Sequence, residues 1–563
     1  VRSRRQRQMC IRDRYTIYTK DIAGNETVKA IEITNIGYDV VYDLNGGIST
    51  QPIANQVKIK GSNLTLTDAK PTKEGYQFKG WATTTNATVP EYVSSGLYTQ
   101  ESKITLYAVW EEVVASATIG EITTYYKSVQ TAIEAVSSNN GAIVTLVKNE
   151  IHENITVANG QNIILNTNGK TLKPAEGTEE IVISNYGTLT IEGNGIIVNE
   201  SVDNRCVINN NGNLNLNEIR LKSTNGVAVN NTSTGSININ GTEIETSGVG
   251  VCNYGNTTVS NGTIIGGIEV NSGKVTVTGG TVGSSNTTYG ISAITSGTVI
   301  IGDKTTAVDN SVPCIIGKNT GVYVGGTARL EFYDGSIIGE SGEGSAINGT
   351  VNAIPSGFEV DKVVETVDGV SREIARLSTV AKLSSGRAVN AKMKKLSGTA
   401  NASYSTSNTN IQAILKSDIA PDISTMTSDN IVSNSTIPIY MWFDNGTIYW
   451  WSEANKIKCY KLSDWMFYNF QKLANIDGIS SWDTSSVTNM SYMFSSCRTL
   501  TNIEALANWN TSSVTDISRM FSSCSTLTNI EALANWDTSS VTDISRMFSS
   551  CSTLTNIEAL ANW

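Results

Sequence analysis

Between Gly187 and Ile338 apolar and polar residues alternate in short runs, each opened by a glycine: GTLTI at Gly187, GNLNL at Gly212, GSINI at Gly235, GNTTV at Gly255, GKVTV at Gly273 and GTVII at Gly297. These glycines follow one another at intervals of 18 to 25 residues. Strict alternation predicts strands, because successive side chains of a strand point to opposite faces. A drifting period of about 22 residues without helical spacing predicts a right-handed parallel β-helix. One coil reads as strands at Val227, Ser236 and Thr242, the next as strands at Val249, Asn256 and Gly262. Val, Ile, Leu or Cys are expected to face inward, with Asn-Gly or Ser-Gly at the corners. Ahead of the stack, SVQTAIEAVSS at Ser128 carries apolar residues at Val129, Ala132, Ile133 and Val136, one face of a short helix. A helix there would cover the open edge and apolar end of the first coil.

A second periodicity begins after Pro438. Trp482, Trp509, Trp536 and Trp563 are 27 residues apart, as are Cys497, Cys524 and Cys551. Two successive copies differ only at Asn510 and Asp537. Phe521, Cys524, Leu527 and Ile530 step by three, a spine expected to be interior. The motifs MF-x-x-C-x-x-L-x-x-I and WDTSSVT, with the aromatic segment YMWFDNGTIYWWSEANKI before them, resemble the BspA-type leucine-rich repeat of bacterial surface proteins. That resemblance implies a C-terminal solenoid over 436–563, truncated at Trp563.

The remaining segments are shorter. Residues 37–111 contain YDLNGG at Tyr42, PTKEGYQFKGWATT at Pro71 and LYAVW ending at Trp110. They resemble the Listeria–Bacteroides (internalin B-repeat) module, a β-grasp-like domain of surface proteins. Asn45-Gly46-Gly47 would supply positive-φ residues for a turn, and Tyr76, Phe78, Trp81 and Trp110 the core of so small a domain. The segment 112–355, with its leading helix, resembles pectate-lyase-like β-helices with an amino-terminal cap. Residues 15–36 resemble the last hairpin of a bacterial immunoglobulin-like domain, and an incomplete sandwich is expected to be poorly ordered. Residues 356–435 read as a connector with helical spacing in SREIARLSTVAKL and NAKMKKLSG. The fold class expected is therefore mainly β and multi-domain.

Composition narrows the partners. There are 51 Asp and Glu against 41 Lys and Arg, a net charge of −10, and 16% of residues are charged. No basic patch marks a nucleic-acid surface. Six of the fifteen arginines lie in residues 1–14, VRSRRQRQMCIRDR, which lack the apolar core of a secretory signal and read as non-native sequence. Both natural ends are expected to lie outside the chain. No apolar run is long enough to predict a membrane-spanning helix. The eight cysteines are scattered singly, with no CxxC, which argues against zinc-ribbon sites. The three on the repeat spine are odd in number and are expected to be buried free thiols. Few cysteines also fit Gram-positive surface proteins.

Catalytic chemistry finds little to build on. The one histidine, His152, has neither a metal cluster nor a nucleophile pattern around it, and a surface or capping role is expected. From Ile181 to Ile338 there are eleven Asp and Glu and seven Lys and Arg, mostly isolated. Glycosidases need two carboxylates with one held protonated. Pectate-type lyases would need clustered aspartates for calcium, and polygalacturonases a Gly-His-Gly motif, which is absent. A shift of 23 residues places Arg220 over Glu243 and Lys222 over Glu245, read as an outward cross-strand charge ladder. No catalytic, metal or cofactor residues are assigned. The densest aromatic group holds Tyr440, Trp442, Phe443, Tyr449, Trp450 and Trp451. It is read first as a cap over the first repeat and second as a ligand-contact set.

The resemblances imply a secreted, non-enzymatic adhesin-type protein at the bacterial cell surface or wall. Its partners would be a host or neighbouring-cell surface protein or a glycan. Two alternatives stand beside this reading: a wall-held, pectate-lyase-like carbohydrate-active enzyme, and a purely structural stalk.

Overall fold

The computed structural model describes residues 14–32, 36–178, 180–201, 205–342, 344–367 and 369–563, so the reading of residues 1–14 as non-native falls, but for Arg14, outside the described residues. The chain divides into two compact units, residues 1–299 with 314–329, and residues 300–313 with 330–563. The fold is mainly β, with large parallel-strand sheets consistent with a β-helix.

The first unit opens with an antiparallel hairpin of Arg14–Lys20 and Glu26–Glu32. Its turn is closed by the Asp21 carboxylate, which accepts the Asn25 amide at 2.9 Å and the Asn25 side chain at 3.0 Å. Next comes a four-stranded sheet in the spatial order Gln56–Ile59, Gly37–Asp43, Ile104–Glu112, Tyr76–Ala82. Trp81 is fully buried at its centre with Val40, Tyr98 and Leu106. Phe78 and Trp110 pack against this core, whereas Tyr76 lies outside it, with the Lys73 ammonium 4.6 Å over its ring. At the predicted turn Asn45 and Gly46 take φ of 47° and 81°. Gly47 serves differently, because a β-carbon there would sit 2.4 Å from the Trp110 ring.

Strand Ile104–Glu112 leads directly to the cap of the stack, built from the hairpin Ala115–Ile119 and Ile122–Tyr126 and the helix Val129–Ala135. Val129, Ala132, Ile133 and Val136 are all buried. The start of the helix is held by Glu153, whose carboxylate accepts the Ser128 hydroxyl at 2.6 Å and the amides of Val129 and Gln130 at 2.8 Å each. Three parallel ladders follow. One runs through Thr188–Glu192, Asn213–Asn217 and Ser236–Asn240, a second through Ile196–Asn199, Arg220–Ser223 and Thr242–Thr246, a third through Ile183–Asn185, Ile208–Asn210 and Val229–Asn231. Inward Leu189, Leu214 and Ile237 stack on one another fully buried.

The third ladder departs from the sequence reading. Its strands are Val229–Asn231 and Val251–Asn253, two residues later than expected, because the inward position after the β-branched one is an asparagine. Asn185, Asn210, Asn231 and Asn253 form a buried column, each side-chain amide donating to the next at 2.7, 2.9 and 2.8 Å. The expectation that cysteines point inward is also corrected. Cys252 sits between buried Val251 and Asn253 and therefore faces out, and Cys206 and Cys314 are half-buried.

In the second unit, strands Phe358–Val367 and Val370–Lys382 form a long antiparallel hairpin, so SREIARLSTVAKL is not helical. The alternation was masked by a charged residue on the buried face. Glu373 is 3% exposed, accepts the amides of Gly344 and Ala346 at 3.0 and 2.8 Å, and faces Lys362 at 3.6 Å. The helix predicted around NAKMKKLSG is present as Gly386–Leu396.

The 27-residue repeats stack by columns of identical residues. Phe467, Phe494, Phe521 and Phe548 lie ring on ring at 5.0, 5.5 and 5.8 Å. The thiols of Cys497, Cys524 and Cys551 each donate to a phenylalanine carbonyl thirty residues earlier at 3.1–3.2 Å, and none is in a disulfide. The indoles of Trp509, Trp536 and Trp563 repeat that offset, donating to the carbonyls of Ile479, Leu506 and Leu533. Phe521, Cys524, Leu527 and Ile530 are all buried.

Candidate functional site

The aromatic segment folds as a hairpin because its residues alternate around an Asn-Gly turn. Strand Tyr440–Asp444 pairs with Thr447–Trp451, and Asn445 and Gly446 take φ of 41° and 87°, the left-handed pair that a two-residue hairpin turn requires. Met441, Ile448 and Trp450 face the core. Tyr440, Trp442, Tyr449 and Trp451 therefore share the opposite, partly exposed face. There they meet as two cross-strand pairs. Tyr440 and Trp451 stack at 6.4 Å and 29°, and Trp442 and Tyr449 at 5.7 Å and 23°. A third strand, Ala413–Lys416, runs parallel to Thr447–Trp451 and sets Leu415 beside Tyr449. The other edge of the hairpin is covered by 430–432, with the Met441 amide donating to the Asn430 carbonyl at 2.7 Å. Both edges of the hairpin are thus hydrogen-bonded to neighbouring chain.

One residue of the expected contact set drops out. Trp450 is 2% exposed, its indole donates to the Gly478 carbonyl at 2.8 Å, and its ring lies edge-on to Trp482 at 5.8 Å. It anchors the sheet on the first repeat and cannot touch a ligand. The two readings of the aromatic group are thereby divided between the two faces of one hairpin.

The charge ladder lies in the first unit. Strands Arg220–Ser223 and Thr242–Thr246 set Arg220 opposite Glu243 and Lys222 opposite Glu245. Lys222 and Glu245 form an ion pair at 3.2 Å between half-exposed side chains. No ion pair joins Arg220 to Glu243 among the described residues, so the ladder has one rung rather than two. An exposed pair of this kind contributes about 0–1 kcal/mol.

A feature the sequence did not suggest lies around His152. A cavity of about 340 Å³ is lined by His152, Lys173, Val198, Asn199, Glu200 and the loop 174–178. Glu150 accepts from His152 Nε2 at 2.9 Å and from Lys173 Nζ at 3.1 Å. The His152 and Lys173 hydrogen bonds hold its carboxyl below the usual carboxylate range. Among the described residues, every carboxyl group whose pKa clearly departs from its ordinary value does so downward, through partners such as Lys170 at Glu74 and Ser485 at Asp483. No group of three or more His, Cys, Asp or Glu side chains is gathered as a metal site among the described residues.

The small sheet at the start of the chain now has a counterpart. Residues 38–109 match the family model of the Listeria-Bacteroides repeat domain. This repeat is typical of surface proteins, and its match covers the four-stranded sheet around Trp81 from Tyr38 to Val109. Residues 461–563, the stacked 27-residue repeats, match a second family model, described as Mycoplasma protein of unknown function, DUF285. Neither match covers the β-helix or the aromatic hairpin. A search of curated proteins found no match, and a search of solved structures found none either. No helix among the described residues is long and apolar enough to cross a membrane.

Proposed function

We propose that this chain is a non-enzymatic binding segment of a secreted bacterial surface protein, of adhesin type, that engages a glycan or protein of a host or neighbouring cell. The Listeria-Bacteroides repeat supports the surface location. The observation that carries the binding reading is the outward face of Tyr440, Trp442, Tyr449 and Trp451, held rigid by the buried Trp450. Partly exposed aromatics on a rigid sheet make good contact residues, since little conformational entropy is lost when a partner settles on them. On this reading the 27-residue repeats are leucine-rich-repeat-like coils of BspA type, and the hairpin closes their first coil.

The test is direct. The full chain is applied to glycan and matrix-protein arrays beside a Trp442→Ala, Tyr449→Ala double variant. The expected result is a hit on the parent that weakens at least about tenfold in the variant, as loss of a contact hot spot does, with the melting temperature unchanged. Binding that is indifferent to the double variant sinks the aromatic reading. Turnover of a polyuronate by the chain would overturn the non-enzymatic one.

A further inference from the structure

A second surface, on the repeats themselves, is unaccounted for by stability alone. Positions 465, 492, 519 and 546 are equivalent in successive repeats and hold Trp465, Tyr492, Arg519 and Arg546. All four take left-handed backbone, with φ of 62°, 58°, 54° and 57°. Bulky residues rarely do so, at a cost of about 1–2 kcal/mol each. Each repeat has a second left-handed position four residues later, filled by Asn469, Ser496, Ser523 and Ser550. The turn can therefore be made with small side chains, and the large ones at the first position have another use.

The first three of these side chains form one stack. Trp465 lies on Tyr492 at 4.2 Å and 14°. The Arg519 guanidinium lies 5.2 Å over the Tyr492 ring and donates to its hydroxyl. On the other side, Arg387 from the helix Gly386–Leu396 sits 5.7 Å from the Trp465 ring and 5.0 Å from Tyr404, pinned by Asp464 at 2.8 Å. The ring faces are thus occupied within the stack, while Trp465, Tyr492 and Arg519 stay partly exposed, which leaves their edges to meet a partner. Aromatic edges carry the positive part of the quadrupole. Guanidinium edges present paired donors that fit carboxylate or sulfate oxygens. Hydrogen bonds from Ser545 hold the Asp543 carboxyl below the usual range, with the Arg519 charge adding to them, and neither Arg519 nor Arg546 is in an ion pair among the described residues. Arg546 is exposed.

We propose that this ladder binds an acidic polysaccharide, whose carboxylate or sulfate groups repeat along the chain as the guanidinium and ring edges repeat along the coils. This surface is independent of the aromatic hairpin, and its test uses different residues. The full chain is titrated with polygalacturonate, a sulfated glycosaminoglycan, neutral dextran, polyglutamate and duplex DNA, at two salt concentrations. The first two probes separate carboxylate from sulfate as the group recognised. The expected result is binding to one or both, weakening as salt rises, and no binding to dextran. Arg546→Gln, on an exposed side chain without structural contacts, is expected to cut affinity about tenfold, the size of one charge-assisted hydrogen bond. Arg519→Lys keeps the charge but loses the planar fork and is expected to weaken binding as well. Failure of both acidic glycans to bind, equal binding of dextran, tighter binding of polyglutamate or DNA, or indifference to Arg546→Gln would each overturn the proposal.

Discussion

Lys394 is a fully buried lysine with no carboxylate paired to it among the described residues. Its ammonium donates to the carbonyls of Tyr404 and Tyr468 at 2.9 Å each and lies 5.2 Å from the Phe470 ring. Burial pulls its pKa down to about 7 from an ordinary 10.5. Between those values the unfolded chain carries a proton that the folded chain lacks, so stability rises with pH across that window. Below about pH 7 both states are protonated, and the cost of burying the charge is felt in full. The buried thiols act in the opposite sense at higher pH, Cys497 being pushed up to about 12 by burial. Melting the parent and a Lys394→Met variant between pH 7 and 8.5 should show a rising melting temperature in the first and a flatter profile in the second. Equal slopes would remove Lys394 as the cause. The asparagine column offers a second residue-scale test. Asn231→Ala removes one hydrogen bond from each of Asn210 and Asn253, which keep their other partners, and each bond lost contributes about 0.5–1.5 kcal/mol. Chemical denaturation should show a loss of that order for the first unit, well beyond that of Asn230→Ala on the outward face of the same strand.

At the scale of elements, sequence periodicity was informative wherever a single rule governed burial. The helix Val129–Ala135 and the strands Ser236–Asn240 and Thr242–Thr246 follow their patterns closely. It failed where a polar group is buried with its partners. Glu373 hid the strand Val370–Lys382 and Asn231 hid the end of Val229–Asn231, since neither partner is near in sequence. The recurrence of Asn at 185, 210, 231 and 253, each two residues before a coil corner or glycine, was the available signal. The Trp465 to Arg519 stack left a trace only in the 27-residue offset, which mixes residue types and shows no common chemistry until the left-handed turns align them. The capping helix also has a testable prop. Removing Glu153 orphans two amides and a hydroxyl at its first turn, so Glu153→Ala should cost the cap about 1–2 kcal/mol. Hydrogen exchange over residues 129–135 should accelerate accordingly, and unchanged protection would show that packing alone holds the helix.

At the scale of the whole molecule, the boundary between compact units falls at residues 299–330, inside the segment that reads as one β-helix in sequence. The local cause is that the loop 300–313 is tied within the second unit. The Asn310 side chain pairs with both backbone groups of Leu377 at 2.8 and 2.9 Å, and Asp334 accepts the amides of Asp309 and Asn310. Periodicity registers coil length and misses where a loop is fastened. The binding surfaces proposed above belong to the second unit, on the hairpin at 440–451 and on the coils at 465–546.

The near identity of the repeats has a genetic side. Residues 509–535 and 536–562 differ at one position, and the phenylalanine, thiol and indole columns join each repeat only to its neighbours. Excising residues 510–536, or duplicating them, remakes every one of those contacts between like residues. Replication slippage or unequal recombination across such tandem DNA would therefore shorten or lengthen the solenoid in whole coils without an unfoldable intermediate. Each added coil would bring one more guanidinium at the position of Arg519, and on the acidic-polysaccharide proposal avidity would then rise with copy number.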